Sequence, residues 1–324
     1  MRLSFSDSYF EDEVRSDFSV PSMMKRAWAA ELKVLKLLED FFDRLGICYY
    51  AEYGTLLGAV RHQGFIPWDD DIDIALLRKD FDLMIAHSEE LPAPLRLLSV
   101  YHSDAYYTHN AVATNNHAPK LEWDEERIRD FYGCPYIINL DINPLDYIPR
   151  DPELRKLQKL LYYLSYSLTR QCVSLEEADA AGVPRDPAAQ EEFDKQLLLL
   201  KNYLQRFFGS QIRLDEDRPI RNALCRVSDR IAALCSEGEA DLLDYYPHMV
   251  YSEQGPFRKK EWYRGGVAEL PFETTTVRVS ADYREQILAF YGENYMTPIR
   301  NAQSHEYPFY RKQEEYFRFL GHDI

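Results

Sequence analysis

The feature that most constrains this chain is an acid-and-apolar alternation that follows the turn residues Gly64 and Pro67: Trp68-Asp69-Asp70-Asp71-Ile72-Asp73-Ile74-Ala75-Leu76. On an extended strand, residues two apart point to the same side. Asp71 and Asp73 are therefore expected to aim together, while Ile72 and Ile74 face the core. A second alternating run, Ile138-Asn139-Leu140-Asp141-Ile142-Asn143, is expected to end at Pro144 and again sets an aspartate opposite an apolar face. Two strands thus present acids.

Like charges bunched in this way cost free energy unless a cation or solvent relieves them. Acidic residues after a proline ordinarily form a solvated turn, but here they alternate with β-branched apolar residues, and that arrangement asks for metal. Hard carboxylate oxygens suit Mg²⁺ or Mn²⁺, and two such ions ~4 Å apart can clamp the attacking and leaving oxygens of a phosphoryl displacement. Asp71 and Asp73 are the expected ligands and catalytic residues, with Asp141 as the third acid. Asp69 and Asp70 either orient those ligands or cap the strand. An EF-hand loop fits only at its first positions, because Ile74 stands where that loop needs glycine and Asp80 where it needs glutamate. GxSxG, HExxH, a Walker lysine loop and GxGxxG are all absent.

Around the acids, the pattern predicts a long amphipathic helix capped at Ser22, in which Trp28, Leu32, Leu35, Leu38, Phe42 and Leu45 recur at helical spacing until Gly46. Ile47 to Tyr53 reads as a strand that turns at Gly54 into a short helix, and a further helix is expected from about Asp80 to Glu90. Long helical patterns fill Glu153 to about Cys235, broken near Ala181–Pro184 and Gly209–Asp215. Thr274 to Val279 reads as a strand and Asp282 to Phe290 as a helix. The expected domains are a catalytic core over 1–150, a helical subdomain over 151–240 and a mixed segment over 241–324 that completes the core.

With 54 Asp and Glu against 38 Lys and Arg, the net charge of -16 disfavours broad binding to nucleic acid or anionic lipid. The acidic and polar start at Met1–Phe10 does not resemble a secretory signal, and the apolar run Leu197–Leu200 falls far short of the ~20 residues that span a bilayer. Five scattered cysteines without a CxxC pair fit neither a disulfide framework nor a zinc knuckle. A soluble, cytoplasmic protein is expected.

The segment from Gly54-Thr55-Leu56-Leu57-Gly58-Ala59-Val60-Arg61-His62-Gln63-Gly64-Phe65-Ile66-Pro67 through Trp68-Asp69-Asp70-Asp71-Ile72-Asp73 resembles the central signature of the LicD family of phosphotransferases, relatives of the fukutin group in the nucleotidyltransferase-fold superfamily. Asn139-Leu140-Asp141-Ile142-Asn143-Pro144-Leu145-Asp146 is similar to that family's second acidic strand, although Asn143 replaces a more usual aromatic or aliphatic residue. Tyr291-Gly292-Glu293-Asn294-Tyr295-Met296, with Ser304-His305, is similar to its closing segment. Coverage runs from about residue 25 to 310; Glu153 to about Lys260 carries no matching motif. The resemblance implies an α+β fold: a nucleotidyltransferase-like mixed sheet flanked by helices, with a helical insertion. It also implies a CDP-linked donor such as CDP-choline and a sugar acceptor on a cell-surface glycan or its lipid-linked precursor, such as lipopolysaccharide or teichoic acid. A soluble chain would meet a membrane-bound acceptor only peripherally.

Gly54 and Thr55, alone, would be a turn glycine and a cap; beside the acidic strand and the resemblance they are read as a donor-phosphate site, through backbone N–H groups, the hydroxyl and the helix dipole. Arg61 and His62 either neutralise phosphate or stabilise a helix C-terminus. Lys120 and His305 resemble family residues that reach or close over the donor. Two other readings stay open: a nucleotidyltransferase whose acceptor attacks the α-phosphorus, and a non-catalytic module that binds metal and sugar.

Overall fold

The computed structural model describes residues 3–116, 121–251, 255–300 and 307–324. The fold is α+β, with a mixed sheet flanked by helices. The chain forms two compact units, Met1–Leu97 with Val112–Asn143 and Trp262–Ile324, and Leu98–Ala111 with Pro144–Glu261. The expected helical block 151–240 lies within the second unit, which also takes in 98–111 and 241–261.

In the first unit, the long helix Ser22–Leu45 buries Trp28, Leu32, Leu35, Leu38 and Phe42 completely, as its periodicity requires. Ser22 is the first helical residue and not the cap. Pro21 holds the extended cap position, and the free N–H of Ser22 is met from outside by Asp12 Oδ1 at 2.7 Å. Gly46 ends the helix at φ +69°, a left-handed conformation that glycine adopts without a Cβ clash.

Strand order in the main sheet is Tyr49–Ala51, Asp73–Leu77, Asn139–Pro149, Ala111–Thr114, Arg96–Leu98. The first two are antiparallel, with Tyr50 opposite Ala75. Tyr53–Arg61 forms the short helix between them, and Arg78–Ala86 follows the acidic strand, with a separate 3₁₀ turn over Ser88–Glu90. A hairpin of Val267–Phe272 and Thr275–Ser280 reaches back to the loop before the acids. At its turn, Glu273 donates its N–H to the Gln63 carbonyl at 2.8 Å. Its carboxylate accepts from Arg15 Nη1 at 2.6 Å and from the Phe65 N–H at 3.2 Å.

The strand Asn139–Pro149 does not end at Pro144. Proline's fixed φ is compatible with extended backbone, and Pro144 precedes the first rung of the next ladder, Asp146 opposite Asp244, so its missing N–H breaks no bond there. In the second unit this part of the strand pairs with Ala240–Asp244, which pairs with Arg258–Lys259. Helices Pro152–Ala180, Pro187–Phe208 and Ile220–Ala232 pack around Leu161, Leu168, Leu200, Leu204, Leu224 and Ile231. The first two begin at aspartate caps, Asp151 and Asp186, each followed by proline. Among the described residues, no helix is long and apolar enough to cross a membrane.

Candidate active site

The acidic run lies in the first unit between the short helix and the strand Asp73–Leu77. Its backbone is fixed from several directions. Asp73 donates its N–H to Thr55 Oγ1 at 2.9 Å, and its carbonyl accepts from the Glu52 N–H at 3.1 Å. Trp28, stacked on Phe65 with centroids 4.8 Å apart, donates its indole N–H to the Asp69 carbonyl at 3.0 Å. Phe309 donates its N–H to the carboxylate of the fully buried Asp70.

Within this frame, Asp69, Asp70 and Asp71 each bring a carboxylate oxygen within 4.8 Å of the others. Asp71 and Asp73 flank the fully buried Ile72, and Asp141 flanks the fully buried Leu140 and Ile142 on its own strand, so acids and apolar residues alternate as expected. Burial, then the Asp71 charge and a hydrogen bond with Asp71, push the Asp69 carboxyl up to about 8. The Asp73 carboxyl is raised well above the usual range by burial first and then by the charges of Asp71, Asp141, Asp69 and Glu52. Asp141 therefore shares the electrostatic neighbourhood of the acidic run. Such a group of ionisable oxygens fits a hard divalent cation, which favours the ionised carboxylates that burial disfavours.

Gly54 has a role beyond the turn. A Cβ there would collide with Asp69 Oδ2, so glycine lets this carboxylate lie against the first turn of the helix Tyr53–Arg61. The preceding residue, Tyr53, is held at φ +48°, which is strained for a side chain of that size. The Thr55 hydroxyl, expected at a phosphate, is buried and anchors Asp73.

Arg61 and His62 meet each other: Arg61 Nε donates to His62 Nε2 at 2.9 Å, and Arg61 Nη1 donates to the Tyr295 carbonyl at 3.0 Å. Burial, then the charges of Arg61 and Arg15, push His62 down to about 4. It is a neutral acceptor near pH 7, so only Arg61 of the pair carries charge. Lys120 and His305 lie outside the described residues.

The sequence reading missed Glu31, which is 2% exposed on the long helix. Burial, followed by the charges of Asp71, Asp70, Asp69 and Asp73, holds its carboxyl well above the usual range. Its signal was present, since position 31 lies three residues after Trp28 and four before Leu35 on the apolar stripe. The anchoring by Trp28 and Phe309 was missed as well.

Residues 46–136 match the family described as LicD/FKTN/FKRP, nucleotidyltransferase domain. The lipopolysaccharide cholinephosphotransferase LicD of Haemophilus influenzae is 43% identical over 54 residues, 17% of this chain and 20% of that protein. The ribitol 5-phosphate transferase FKRP of Homo sapiens is 45% identical over 38 residues, 12% of this chain and 8% of that protein. An uncharacterized protein of Rickettsia typhi is 43% identical over 65 residues, 18% of this chain and 21% of that protein. The matches thus span about a fifth or less of each relative's length.

Proposed function

We propose that this chain, which belongs to the LicD/FKTN/FKRP family through residues 46–136, transfers a phosphate-linked small group from a cytidine-nucleotide donor to a sugar hydroxyl. The observation that carries this reading is the cluster of Asp69, Asp70 and Asp71 oxygens within 4.8 Å of one another, inside the matched segment. The names of two relatives, a cholinephosphotransferase and a ribitol 5-phosphate transferase, support phosphocholine or ribitol phosphate as the transferred group, and CDP-choline is our first choice of donor. The acceptor is a cell-surface glycan or its lipid-linked precursor, modified in the cytoplasm.

Asp71 and Asp73, with Asp69 and Asp70 beside them, would hold the cation, and Asp141 would complete the set. Bound Mg²⁺ or Mn²⁺ would supply charge compensation for the donor pyrophosphate. An Asp141 carboxylate oxygen takes the proton of the acceptor hydroxyl, whose oxygen attacks the phosphorus bearing choline in line. The new P–O bond forms as the bond to CMP breaks. Arg61 adds a positive charge at the end of the short helix, and the anchored acidic run positions the reacting groups.

CDP-choline, CDP-ethanolamine, CDP-glycerol and CDP-ribitol incubated with Mg²⁺ and candidate glycans, and followed by CMP release and ³¹P NMR, test this directly. One donor should release CMP and leave its phosphate on a sugar. Pyrophosphate as the product would instead identify nucleotidyl transfer. Metal binding without nucleotide binding would identify a recognition module.

A further inference from the structure

Glu31 is out of character with its surroundings on the helix Ser22–Leu45. Ala27, Trp28, Ala30, Leu32, Val34 and Leu35 are all fully buried and apolar. Glu31 is buried with them, and among the described residues its Oε2 has no hydrogen-bond partner. A buried polar atom in that state is costly, and an ionised one more so. The helix itself shows which way this side chain faces. Trp28, one turn earlier, donates to the carbonyl of Asp69 at 3.0 Å, and residues three apart share a helix face. The same acids, Asp71, Asp70, Asp69 and Asp73, add to burial in disfavouring an ionised Glu31.

We propose that Glu31 is a further carboxylate of the cation site, supplied by the helix and not by the acidic loop, and that a divalent ion held by the aspartates satisfies its Oε2 directly or through a bound water. Its role is positioning: it strengthens the hold on the ion and ties the ion to the long helix Ser22–Leu45. The inference rests on the aspartates being a cation site.

Glu31→Gln keeps the shape and removes the charge. Mn²⁺ calorimetry and thermal unfolding of the full chain, with and without EDTA, read out the effect without any need for turnover. Wild type should bind Mn²⁺ and gain Tm with it. Glu31→Gln should bind Mn²⁺ roughly 10-fold or more weakly, with a Tm in EDTA equal to or above wild type, because a neutral amide of the same shape replaces a carboxyl whose ionised form is disfavoured there. Glu31→Asp, which retains the charge on a shorter arm, should recover part of the affinity. Wild-type Mn²⁺ affinity in Glu31→Gln overturns the inference while leaving the aspartate site intact, and so does a Glu31→Gln protein that fails to fold while Glu31→Asp binds Mn²⁺ no better than Asp71→Asn. A wild-type chain that neither binds Mn²⁺ nor gains Tm removes the cation site itself.

Discussion

In the second unit, Asp244 is buried against the equally buried guanidinium of Arg258 on the neighbouring strand, so the protein supplies the balancing charge itself. In the first unit, the half-buried Asp69 and Asp73 and the buried Glu31 lie among further acids, and every one of them is pushed toward its protonated form. The first unit is able to neutralise acids too, as Glu273 shows by accepting from Arg15 at 2.6 Å only a few residues away in space from Phe65. A cationic side chain on the helix face that carries Glu31 would have been a simple solution. The contrast is what the proposed cation site would explain, with an external charge serving the acidic run as Arg258 serves Asp244.

The largest effect that would test this contrast is on turnover. Asp71→Asn and Asp73→Asn should each lower it by roughly 10³-fold or more, while thermal unfolding in EDTA shows no loss of stability because repulsion has been relieved. Near wild-type turnover at saturating Mg²⁺ would move the chemistry elsewhere. Asp244→Asn should do the reverse. It removes the carboxylate buried against the Arg258 guanidinium, which costs up to about 3–5 kcal/mol, read as a lower urea midpoint. An unchanged midpoint would remove the structural half of the contrast.

The smallest expected effect is a pH dependence of the metal-free protein. Asp69 has a raised native pKa of about 8 against 3.8 unfolded, so its contribution to stability is full at low pH and is lost as pH rises toward 8. His62 has a lowered native pKa of about 4 against 6.5, so its contribution grows with pH across that lower window. The two oppose each other below about pH 6.5, leaving a decline in Tm between about 6.5 and 8 that Mg²⁺ should flatten. A Tm that rises through this upper window in EDTA contradicts the assignment.

Local patterns in the sequence were enough for much of this. The stripe from Trp28 to Leu45 and the stop at Gly46 specified the long helix, and the alternation specified the burial of Ile72, Ile74, Leu140 and Ile142 but not that of Ala75 and Asn143 on the other face. Pro144 misled, because a proline ends a strand only where its N–H is needed by a partner, and partners are not written locally. Contacts distant in sequence were equally hidden: Trp28 meets a carbonyl 41 residues away, and Phe309 meets Asp70 across 239. Glu31 lay in plain view on a buried stripe, yet periodicity alone does not distinguish an acid that interrupts a core from one aimed at a site. Thr55 and His62 were expected at a donor phosphate, and in the fold their side chains accept from the Asp73 N–H and from Arg61 Nε.

The Trp28 indole, fully buried, stacked on Phe65 and hydrogen-bonded to the carbonyl of Asp69, couples a chromophore directly to the backbone of the acidic run. Excited-state indole is sensitive to the strength of its N–H bond and to nearby charge, so intrinsic emission from this ring gives the chain a built-in optical gauge. Of its four tryptophans, Trp28 would sense a cation through the loop it holds, and Trp68, beside His62, through the loop it belongs to. Loading of the proposed cation site should thus register in the intrinsic emission of the unlabelled protein, before any substrate is known.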